Sequence, residues 1–450
     1  MNRNGNRMPP GPKGWPLLGV SLELLQNPLA LLRRLAREYG DIVRFPVLIG
    51  DRILLNHPDF IEQVLVIQQS KFHKSDMTKR ATGRLLGQGL LTSEGDFWRR
   101  QRRLAQPAFH RSRINGYAET MVSITEEHVR GWRGGETHDV AQLMMAVTLD
   151  IAVRTLFGTT LPGEAKQVGH AVSFLMRYQL RRVRSPVRLP ENWPTPKSRR
   201  AQRENDFLDS LIYRIIAERR EQGSSHHHED LLALLMGAMD EDGTRMTPQQ
   251  LRDEAMTLFL AGHETTALTL SWTWYLLSQN PAAEVRLHEE LSGVLGGRPP
   301  AVADLERLPY LQAVINEALR LYPPAYLLAR TSIAPSTIGG HDFPTGTTIL
   351  MSQWVTHRDA RFFDDPDAFR PERWLDGLMG RLPAGAYYPF GDGPRRCIGQ
   401  GFALLESALV TATIAQRFQF RLVQGHPIVT EPLVTLRPRH GIRMTMQERN

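Results

Sequence analysis

The chain has 450 residues, of which 41% are hydrophobic and 23% charged, so it can bury a large core and is not expected to be disordered. Its single cysteine, Cys397, excludes an intramolecular disulfide and favours a reducing compartment. The formal net charge of +8 suits an acidic protein, an anionic membrane or nucleic acid as partner. No zinc-ligand spacing or RNA-binding motif accompanies the basic residues, so nucleic acid is not the favoured partner.

The amino-terminal segment MNRNGNRMPPGPKGWPLLG is polar and rich in proline and glycine, without the apolar centre of a signal peptide. No run of about 18 uninterrupted apolar residues occurs, so we expect no membrane span. The densest basic stretch, residues 181–203, is best explained as a solvent-exposed connection between two helices. These features together predict a soluble, cytoplasmic protein.

Helical and strand-like patterns alternate unevenly along the chain. The segment DIVRFPVLIGDRILLNHPDF predicts an antiparallel strand pair over about 41–57. Helical spacing of apolar residues follows from about Pro58 to Leu319, and strand-like segments return over about 331–356 and 430–447. We therefore predict a mainly α protein with a smaller β-rich part (α+β), in which both ends of the chain contribute to the β-rich part. A single domain over 1–450 with no clean internal boundary is expected.

The longest predicted helix covers about 248–280. Thr247 is its candidate N-cap, Pro248 occupies the first helical position and Gln250 completes a capping box. Its middle is small and polar, AGHETT at 261–266, between apolar flanks. A mid-helix glycine costs about 1 kcal/mol relative to alanine, and a buried carboxylate such as Glu264 costs more unless it is paired. We therefore expect the helix to open locally onto a cavity, although a solvated groove beside Glu264 would explain the same pattern.

Cys397 is followed by IGQGFALLESALVTATIAQRF, an apolar segment with helical spacing. The thiol therefore lies at or just before a helix N-terminus, where the helix dipole and the adjacent Arg395 and Arg396 favour a thiolate. Three nearby glycines allow unusual backbone dihedral angles: Gly391, Gly393 and Gly399. A thiolate is a nucleophile or a metal ligand, but no protease signature or zinc spacing surrounds it. Haem iron needs only one cysteine ligand, and a small buried cysteine without chemistry is the alternative.

The segment PFGDGPRRCIGQ resembles the haem-ligand signature F-x-x-G-x-R-x-C-x-G of the cytochrome P450 family, with matches at Phe390, Gly393, Arg395, Cys397 and Gly399. Four further segments are similar to motifs of that family and follow in the right order: WRRQR, AGHETT, EALR and PERW. The likeness covers essentially the whole chain. It implies the cytochrome P450 fold, with a long central helix over the haem and the cysteine loop and its helix beneath it.

The resemblance implies roles for individual residues. Cys397 would be the axial ligand of the iron of haem b, and Glu264 and Thr265 would deliver protons for the activation of dioxygen. The other residues implied to bind haem or to leave room for dioxygen are Trp98, Arg102, Ala261, Gly262, Arg330, Phe390, Gly391, Arg395 and Gly399. His357 is a weaker candidate for a propionate contact, since a histidine packed near the core strands is nearly as well supported. A structural triad would brace the cysteine loop: Glu317, Arg320 and Arg373.

Apolar residues match positions that line the substrate pocket in the family: Leu90, Leu91, Leu258, Phe259, Ala325, Leu327 and Val434. They suggest a hydrophobic substrate such as a fatty acid, a terpenoid or a polyketide-like molecule. The resemblance thus implies a haem-thiolate monooxygenase that hydroxylates or epoxidises such a substrate with O₂ and two externally supplied electrons. No Rossmann fingerprint or flavin-binding portion follows the cysteine, so a separate ferredoxin or flavodoxin with its reductase is expected.

Two other classes of function stay open at this point. One is a peroxide-driven or isomerising haem-thiolate enzyme, and the other is a haem-binding sensor without turnover. The acid–alcohol pair Glu264 and Thr265 favours the use of O₂ over both. Two further features are given ordinary explanations: Trp272 and Trp274 as core residues, and His226 to His228 as part of a solvent loop.

Overall fold

The computed structural model describes residues 8–76, 85–160, 163–184, 193–222, 230–239 and 243–449. Helices predominate in these ranges and the strands are short, which confirms the predicted mainly α class with a smaller β part. The basic stretch 181–203 is described only in part, and His226 to His228 lie outside the described residues.

The described α-helices follow one another in chain order. They are α1 (Ser21–Gln26), α2 (Pro28–Tyr39), α3 (Pro58–Glu62), α4 (Gly95–Ala105), α5 (Arg111–Gly116), α6 (Ala118–Val129), α7 (Val140–Phe157), α8 (Ala165–Arg184), α9 (Pro196–Gln222), α10 (Leu231–Gly237), α11 (Pro248–Gln279), α12 (Pro281–Leu295), α13 (Pro309–Leu321), α14 (Gln353–Thr356), α15 (Leu378–Arg381) and α16 (Gln400–Ala415).

The strands in the same ranges are short. They are β1 (Ile42–Pro46), β2 (Asp51–Leu55), β3 (Phe72–Lys74), β4 (Thr137–Asp139), β5 (Leu328–Ser332), β6 (Ser336–Ile338), β7 (His341–Phe343), β8 (Thr348–Met351), β9 (Phe418–Leu422), β10 (Thr430–Pro432), β11 (Leu436–Pro438) and β12 (Arg443–Glu448).

The chain divides into two compact units built from interleaved segments. The first comprises Met1–Lys79, Glu317–Phe369 and Asp376–Cys397, and the second comprises Arg80–Asn316, Arg370–Leu375 and Ile398–Asn450. Neither unit is one continuous stretch of sequence. The expectation of a single domain with no clean boundary stays a prediction.

The first unit is built around a five-stranded sheet in the order β1-β2-β8-β5-β3. β1 and β2 pair antiparallel, as predicted, and β2 pairs in parallel with β8. Successive residues of β2 point to opposite faces, so that Ile53 and Leu55 enter one apolar cluster and Leu54 enters another. A sheet with apolar residues on both faces is buried on both, which explains the continuous apolar runs of these strands.

The C-terminal strands do not join this sheet, and in this respect the prediction of one β-rich part was wrong. In the second unit β12 lies between β4 and β9, and β10 pairs with β11 as a separate ribbon. Asp139 at the end of β4 explains part of this arrangement. Its carboxylate accepts hydrogen bonds from the backbone N–H of Ile442 (2.9 Å) and from that of Ala141 at the start of α7 (3.0 Å). The first bond connects the C-terminal segment to β4 and the second caps α7.

The long helix α11 has the predicted start and end. The Thr247 hydroxyl accepts from the N–H of Gln250 (3.2 Å), and the Gln250 side chain accepts from the N–H of Thr247 (2.9 Å). The helix continues without interruption to Gln279, so the expected local opening at 261–266 is not a break in the helix. Trp272 and Trp274 are buried, as predicted, and Trp272 Nε1 donates to the carbonyl of Leu436 (3.1 Å).

Helix α7 is the main packing partner of α11 within the second unit. Its composition and its length of 18 residues meet the requirements for crossing a membrane, and no other helix in the described ranges meets both. Most of its residues are buried within the protein, so α7 is a core helix of the kind that shares this composition.

The capping box gives a test of how α11 begins. Thr247→Ala removes the acceptor for the Gln250 N–H, and we expect the free energy of unfolding to fall by about 1 kcal/mol. Thr247→Ser keeps the hydroxyl and should stay within a few tenths of a kcal/mol of the parent chain, by roughly the spread among capping residues. Urea titrations of the three proteins measure the difference. Equal stability of the alanine and serine variants would contradict this role of Thr247.

Candidate active site

The loop that carries Cys397 is held by its own backbone. The N–H of Cys397 donates to the carbonyl of Phe390 (2.9 Å), and the N–H of Arg396 donates to the carbonyl of Gly393 (3.0 Å). Asp392 accepts from the N–H of Gly393 (2.8 Å). These bonds close a tight turn from which the exposed thiol projects, three residues before α16 begins at Gln400. The predicted position of the cysteine before a helix is confirmed.

Two of the three loop glycines are required by the backbone. Gly391 and Gly393 have φ values of +71° and +65°, a region that favours glycine. A Cβ at Gly393 would also lie 2.0 Å from the carbonyl oxygen of Leu65, so no larger residue fits. Gly399 differs, because its φ of −88° is open to any residue and a Cβ there would meet only Phe109 at 3.7 Å. The expectation of unusual dihedral angles was therefore wrong for Gly399.

Arg320 is a buried arginine in the same unit as this loop, and it makes many hydrogen bonds. It forms two hydrogen bonds with the carboxylate of Glu317, Nε to Oε2 (2.9 Å) and Nη2 to Oε1 (2.8 Å), and both side chains are 0% exposed. Its other N–H groups donate to the carbonyls of His357 (2.8 Å), Pro366 (2.6 Å) and Ala368 (3.0 Å). All five donors of the guanidinium are thus used, and they tie α13 to the segment 357–368.

The predicted triad is only partly visible within this unit. The Glu317–Arg320 pair is present, whereas Arg373 lies in the 3₁₀ turn Pro371–Trp374, which is grouped with the other unit. Its membership of the triad stays a prediction. The three carbonyl partners of Arg320 are a feature that the i, i+3 spacing of Glu317 and Arg320 does not reveal.

His357 connects the Arg320 hub to the cysteine loop. Its carbonyl accepts from Arg320, and its Nε2 accepts from the backbone N–H of Tyr388 (3.0 Å). Burial and the nearby Arg320 and Arg358 lower the pKa of His357 well below its usual value, so the ring is neutral at pH 7. A neutral, fully buried histidine is a packing residue, and the structure therefore favours that explanation over a propionate contact.

In the second unit, one face of α11 is accessible at its middle. Ala261 is exposed and Thr265 is half-buried, while Leu260 and Glu264 beside them are buried. At about 100° per residue, Leu258 shares the face of Ala261 and Thr265. The Thr265 hydroxyl donates to the carbonyl of Ala261 (2.8 Å). An accessible face in the middle of an otherwise buried helix is where a ligand can approach the chain.

Glu264 is buried and paired. Its Oε1 accepts from Arg437 Nε (3.0 Å) and from the hydroxyl of Thr435, and Arg437 Nη2 lies 2.8 Å from the same oxygen in an ion pair. Arg437 also donates to the Ser173 hydroxyl on α8 (3.2 Å). The second carboxylate oxygen, Oε2, is buried and has no hydrogen-bond partner among the described residues. One oxygen of the carboxylate is thus anchored by two side chains.

The other residues expected near the haem have individual surroundings. Trp98 is buried and Arg102 half-buried, on one face of α4, and Arg102 Nε donates to Gln106 Oε1 (3.0 Å). Arg330 is buried on β5 in the first unit, and Arg395 is half-buried in the 3₁₀ turn before Cys397. Their roles as propionate donors stay predictions.

Gly262 is not required by packing. A Cβ at Gly262 would make an ordinary contact with Leu156 at 3.6 Å, so packing alone does not require glycine there.

The apolar pocket candidates are divided between the two units. The second unit contains Leu90, Leu91, Leu258 and Val434, and the first contains Ala325 and Leu327. Phe259 lies on the face of α11 opposite Ala261, with its ring 5.9 Å from that of Phe157. That packing is typical of a core residue rather than of a pocket wall.

Several residues around the site were not predicted from the sequence. Arg437 and Thr435 hold Glu264, and the carboxylates of Asp253 and Glu254 accept from the backbone of a loop near Leu90. The sequence feature that could have indicated them is a charged residue inside an apolar stretch, such as Arg437 in LVTLRPRHG. A buried charge needs a partner, but the sequence does not say which residue supplies it.

The exposed thiol of Cys397 fits the iron of a haem b group. The described part of the chain has no group of three or more His, Cys, Asp and Glu residues that could hold a metal ion. A macrocycle that already supplies four nitrogen ligands needs only the single exposed thiol of Cys397. Cys397 would bind the iron, and the roles expected for the propionate donors and for the Ala261 face stay predictions. The fold and the site thus define a haem-thiolate protein.

Comparisons with known proteins agree with this class. The sequence model of the family described as Cytochrome P450 matches residues 9–446. Cyclooctatin synthase of Streptomyces melanosporofaciens is 38% identical, over 94% of this chain and 92% of the relative. Cyclooctat-9-en-7-ol 5-monooxygenase of the same organism is 37% identical (92% and 90% covered), and pentalenene oxygenase of Streptomyces avermitilis is 32% identical (95% and 92% covered). The chain belongs to the cytochrome P450 family, as a monooxygenase with haem b as its cofactor.

The buried hub gives a test of what holds the cysteine loop. Arg320→Met removes two buried hydrogen bonds from the carboxylate of Glu317, and the free energy of unfolding should fall by about 3–5 kcal/mol. Arg33→Met is the matched control, because Arg33 also makes a bidentate pair, with Asp367, but the two side chains are 44% and 59% exposed. That change should cost under about 1 kcal/mol. Denaturant titration with parallel haem absorption measures both, and equal losses would contradict the assignment.

Proposed function

We propose that this cytochrome P450 inserts one oxygen atom of O₂ into an apolar terpenoid substrate. The other oxygen atom leaves as water, with two protons and two electrons supplied from outside the substrate. The observation that carries the proposal is the accessible Ala261 face with Thr265 on it and the Glu264 carboxyl next to it on the same helix. The bound haem supplies the oxygen chemistry, and the chain supplies the thiolate ligand, the position of the substrate and the protons.

The anchored geometry of Glu264 supports its role in proton transfer. Arg437 and Thr435 fix Oε1, so the carboxyl cannot rotate freely, and Oε2 has no competing donor among the residues described. A positioned acid of this kind transfers protons more effectively than a mobile one. Thr265 is the neighbouring hydroxyl on the accessible face, and its present donation to Ala261 keeps it there.

The terpenoid assignment is supported by the relatives and by the apolar residues. The relatives named above include a cyclooctat-9-en-7-ol 5-monooxygenase and a pentalenene oxygenase. Leu90 and Leu258 offer no charge or hydrogen-bonding side chain to a substrate. An apolar ring system without a charged anchor is the substrate that such a surface accepts.

The proposal also includes the source of electrons and the compartment. A separate ferredoxin or flavodoxin with its reductase would supply the electrons, in the cytoplasm. Arg396, which is exposed next to Cys397, is among the cations that an acidic redox protein would meet.

The first test concerns the iron ligand. The reduced, carbon monoxide-bound protein should show the strongly red-shifted Soret band of thiolate ligation, and Cys397→Ser should lose that band while the protein remains folded by circular dichroism. A band at the same wavelength in both proteins would show that another residue binds the iron. A wild-type protein without the red shift would remove the basis of the proposed function.

The second test separates use of O₂ from use of peroxide. In Thr265→Ala, product formation with O₂ and a surrogate ferredoxin system should fall by about tenfold or more, because proton delivery is impaired. Hydrogen peroxide-supported turnover should stay close to that of the parent enzyme. Thr273→Ala is the matched control, since Thr273 makes the same i−4 hydrogen bond (2.8 Å) two turns further along α11. Equal loss in both assays would contradict the proton-delivery role of Thr265. A parent enzyme that forms product with peroxide but not with O₂ would favour the peroxide-driven class, and no product in either assay would favour a sensor.

A further inference from the structure

The loop at residues 87–91, which carries Leu90 and Leu91, lies directly against α11. Gly87 has a φ of +53°, and a Cβ there would be 2.3 Å from the Asp253 carboxylate. A Cβ at Gly89 would be 2.1 Å from the hydroxyl oxygen of Thr257 and 2.7 Å from the carbonyl oxygen of Asp253. No side chain fits at either position. The two glycines therefore bring the backbone of the loop into contact with the helix.

Two buried carboxylates bind the backbone of this loop. Asp253 Oδ2 accepts from the N–H of Gln88 (2.8 Å), and Glu254 Oε2 accepts from the N–H of Leu90 (3.0 Å). Asp253 is 4% exposed and Glu254 is 0% exposed. Hydrogen bonds from an amide to an ionised carboxylate are stronger than those between neutral groups, above all where water is excluded. The loop is thus fastened to α11 at two alternate residues.

The carboxylate of Asp253 is itself held in place from α9 and α11. Arg252 Nη1 donates to Asp253 Oδ1 (3.0 Å), and Arg252 Nε donates to Asp209 on α9 (2.9 Å). Gln249 donates to the same Oδ1 atom (2.8 Å). With Oδ1 occupied in this way, Oδ2 is directed to the Gln88 amide. The network connects α9, α11 and the loop within one unit.

One of the two attachment points, Glu254, lies on the face of α11 that the proposed function uses. Glu254 precedes Ala261 by seven residues, about two turns or ~10.5 Å along the axis, and shares its face. Leu258 lies between them on that face. Glu254 and Leu258 are themselves buried, so the amide of Leu90 is held about two turns before the accessible residues Ala261 and Thr265. Leu90 is buried there and Leu91 is half-buried.

We propose that Asp253 and Glu254 are positioning residues that set how bulky an apolar substrate the enzyme accepts. They fix the 87–91 loop, and with it Leu90 and Leu91, beside the Ala261 face. The inference rests on the proposed function, because it requires the substrate to be oxidised at that face. The hydrogen bonds from Asp253 and Glu254 to two loop amides define where the loop lies against α11, so we expect the size limit to depend on these two carboxylates.

The experiment uses the haem-loaded protein and ligands of different size. Glu254→Gln and the double change Asp253→Asn with Glu254→Gln weaken the attachment with little change in shape. Asp206→Asn on α9 is the matched control, because Asp206 is an exposed acid outside the network. Two quantities are measured: hydrogen exchange of peptides that contain 87–91, and the dissociation constants of imidazole, 4-phenylimidazole and clotrimazole from their absorption shifts.

In the double variant, we expect exchange in the 87–91 loop to rise by about tenfold. The dissociation constant of imidazole should stay within about twofold, because this ligand is too small to meet the loop. The ratio of the clotrimazole to the 4-phenylimidazole dissociation constant should fall by about tenfold, since a loosened loop admits the bulkier ligand. Asp206→Asn should change none of these values.

A further variant covers the case in which the double change prevents folding. Gly89→Ala forces the loop away from Thr257 without altering either carboxylate, and it should lower the same ratio. Faster exchange with an unchanged ratio would show a structural role alone and would overturn the inference, as would unchanged exchange. A wild-type protein without the thiolate-type carbon monoxide band would instead overturn the proposed function itself.

Discussion

A guanidinium removed from water must satisfy all of its donors within the protein, and the environment of Arg320 is organised by that requirement. Two donor contacts go to Glu317 and three to the carbonyls of His357, Pro366 and Ala368. Removal of one partner would leave an uncompensated charge in a place with no access to solvent. The segment 357–368 is therefore fixed relative to α13, and the position of His357 follows from it.

The cysteine loop depends on that position. His357 is neutral and accepts the amide of Tyr388, from which the chain continues into the turn closed by the bond from Cys397 to Phe390. Gly393 completes the arrangement, since its missing side chain lets the turn approach the carbonyl of Leu65. A single ligand atom can hold iron reproducibly only if its backbone is held in this way. The ion pair thus acts on Cys397, the proposed iron ligand, through two backbone connections.

Helix α11 meets a different constraint, because it must remain buried and continuous while it carries charges. It does so by pairing each carboxylate with a specific partner from elsewhere in its unit. Glu264 is paired with Arg437 and Thr435, and Glu254 with the amide of Leu90. Each pairing also connects the helix to a segment proposed to contact the substrate, the turn with Val434 in one case and the loop with Leu90 in the other. Because a buried charge needs a partner, each of these pairings helps to define where the neighbouring segment lies.

Much of the fold was predictable wherever the information is local. The capping box at Thr247 and the hairpin of β1 and β2 were confirmed, because caps and alternating apolar runs are determined by neighbouring residues. The pairing of β12 with β4 and β9 was not predicted, and neither was the continuity of α11 through 261–266. Both depend on residues far away in the chain. For β12, the long-range contact is the Asp139 carboxylate that accepts from Ile442.

The sequence by itself determined that one thiol, Cys397, stands before a helix in a glycine- and arginine-rich loop, and that a long helix carries Glu264 and Thr265. The resemblance of these segments to cytochrome P450 motifs is recognisable from the sequence alone, because each motif occupies a short segment. Only the tertiary structure decided which groups hold them. Arg437 lies 173 positions after Glu264, and the amide of Leu90 lies 164 positions before Glu254. A buried charge takes whichever partner the fold brings to it, and spacing along the chain carries no information about that choice.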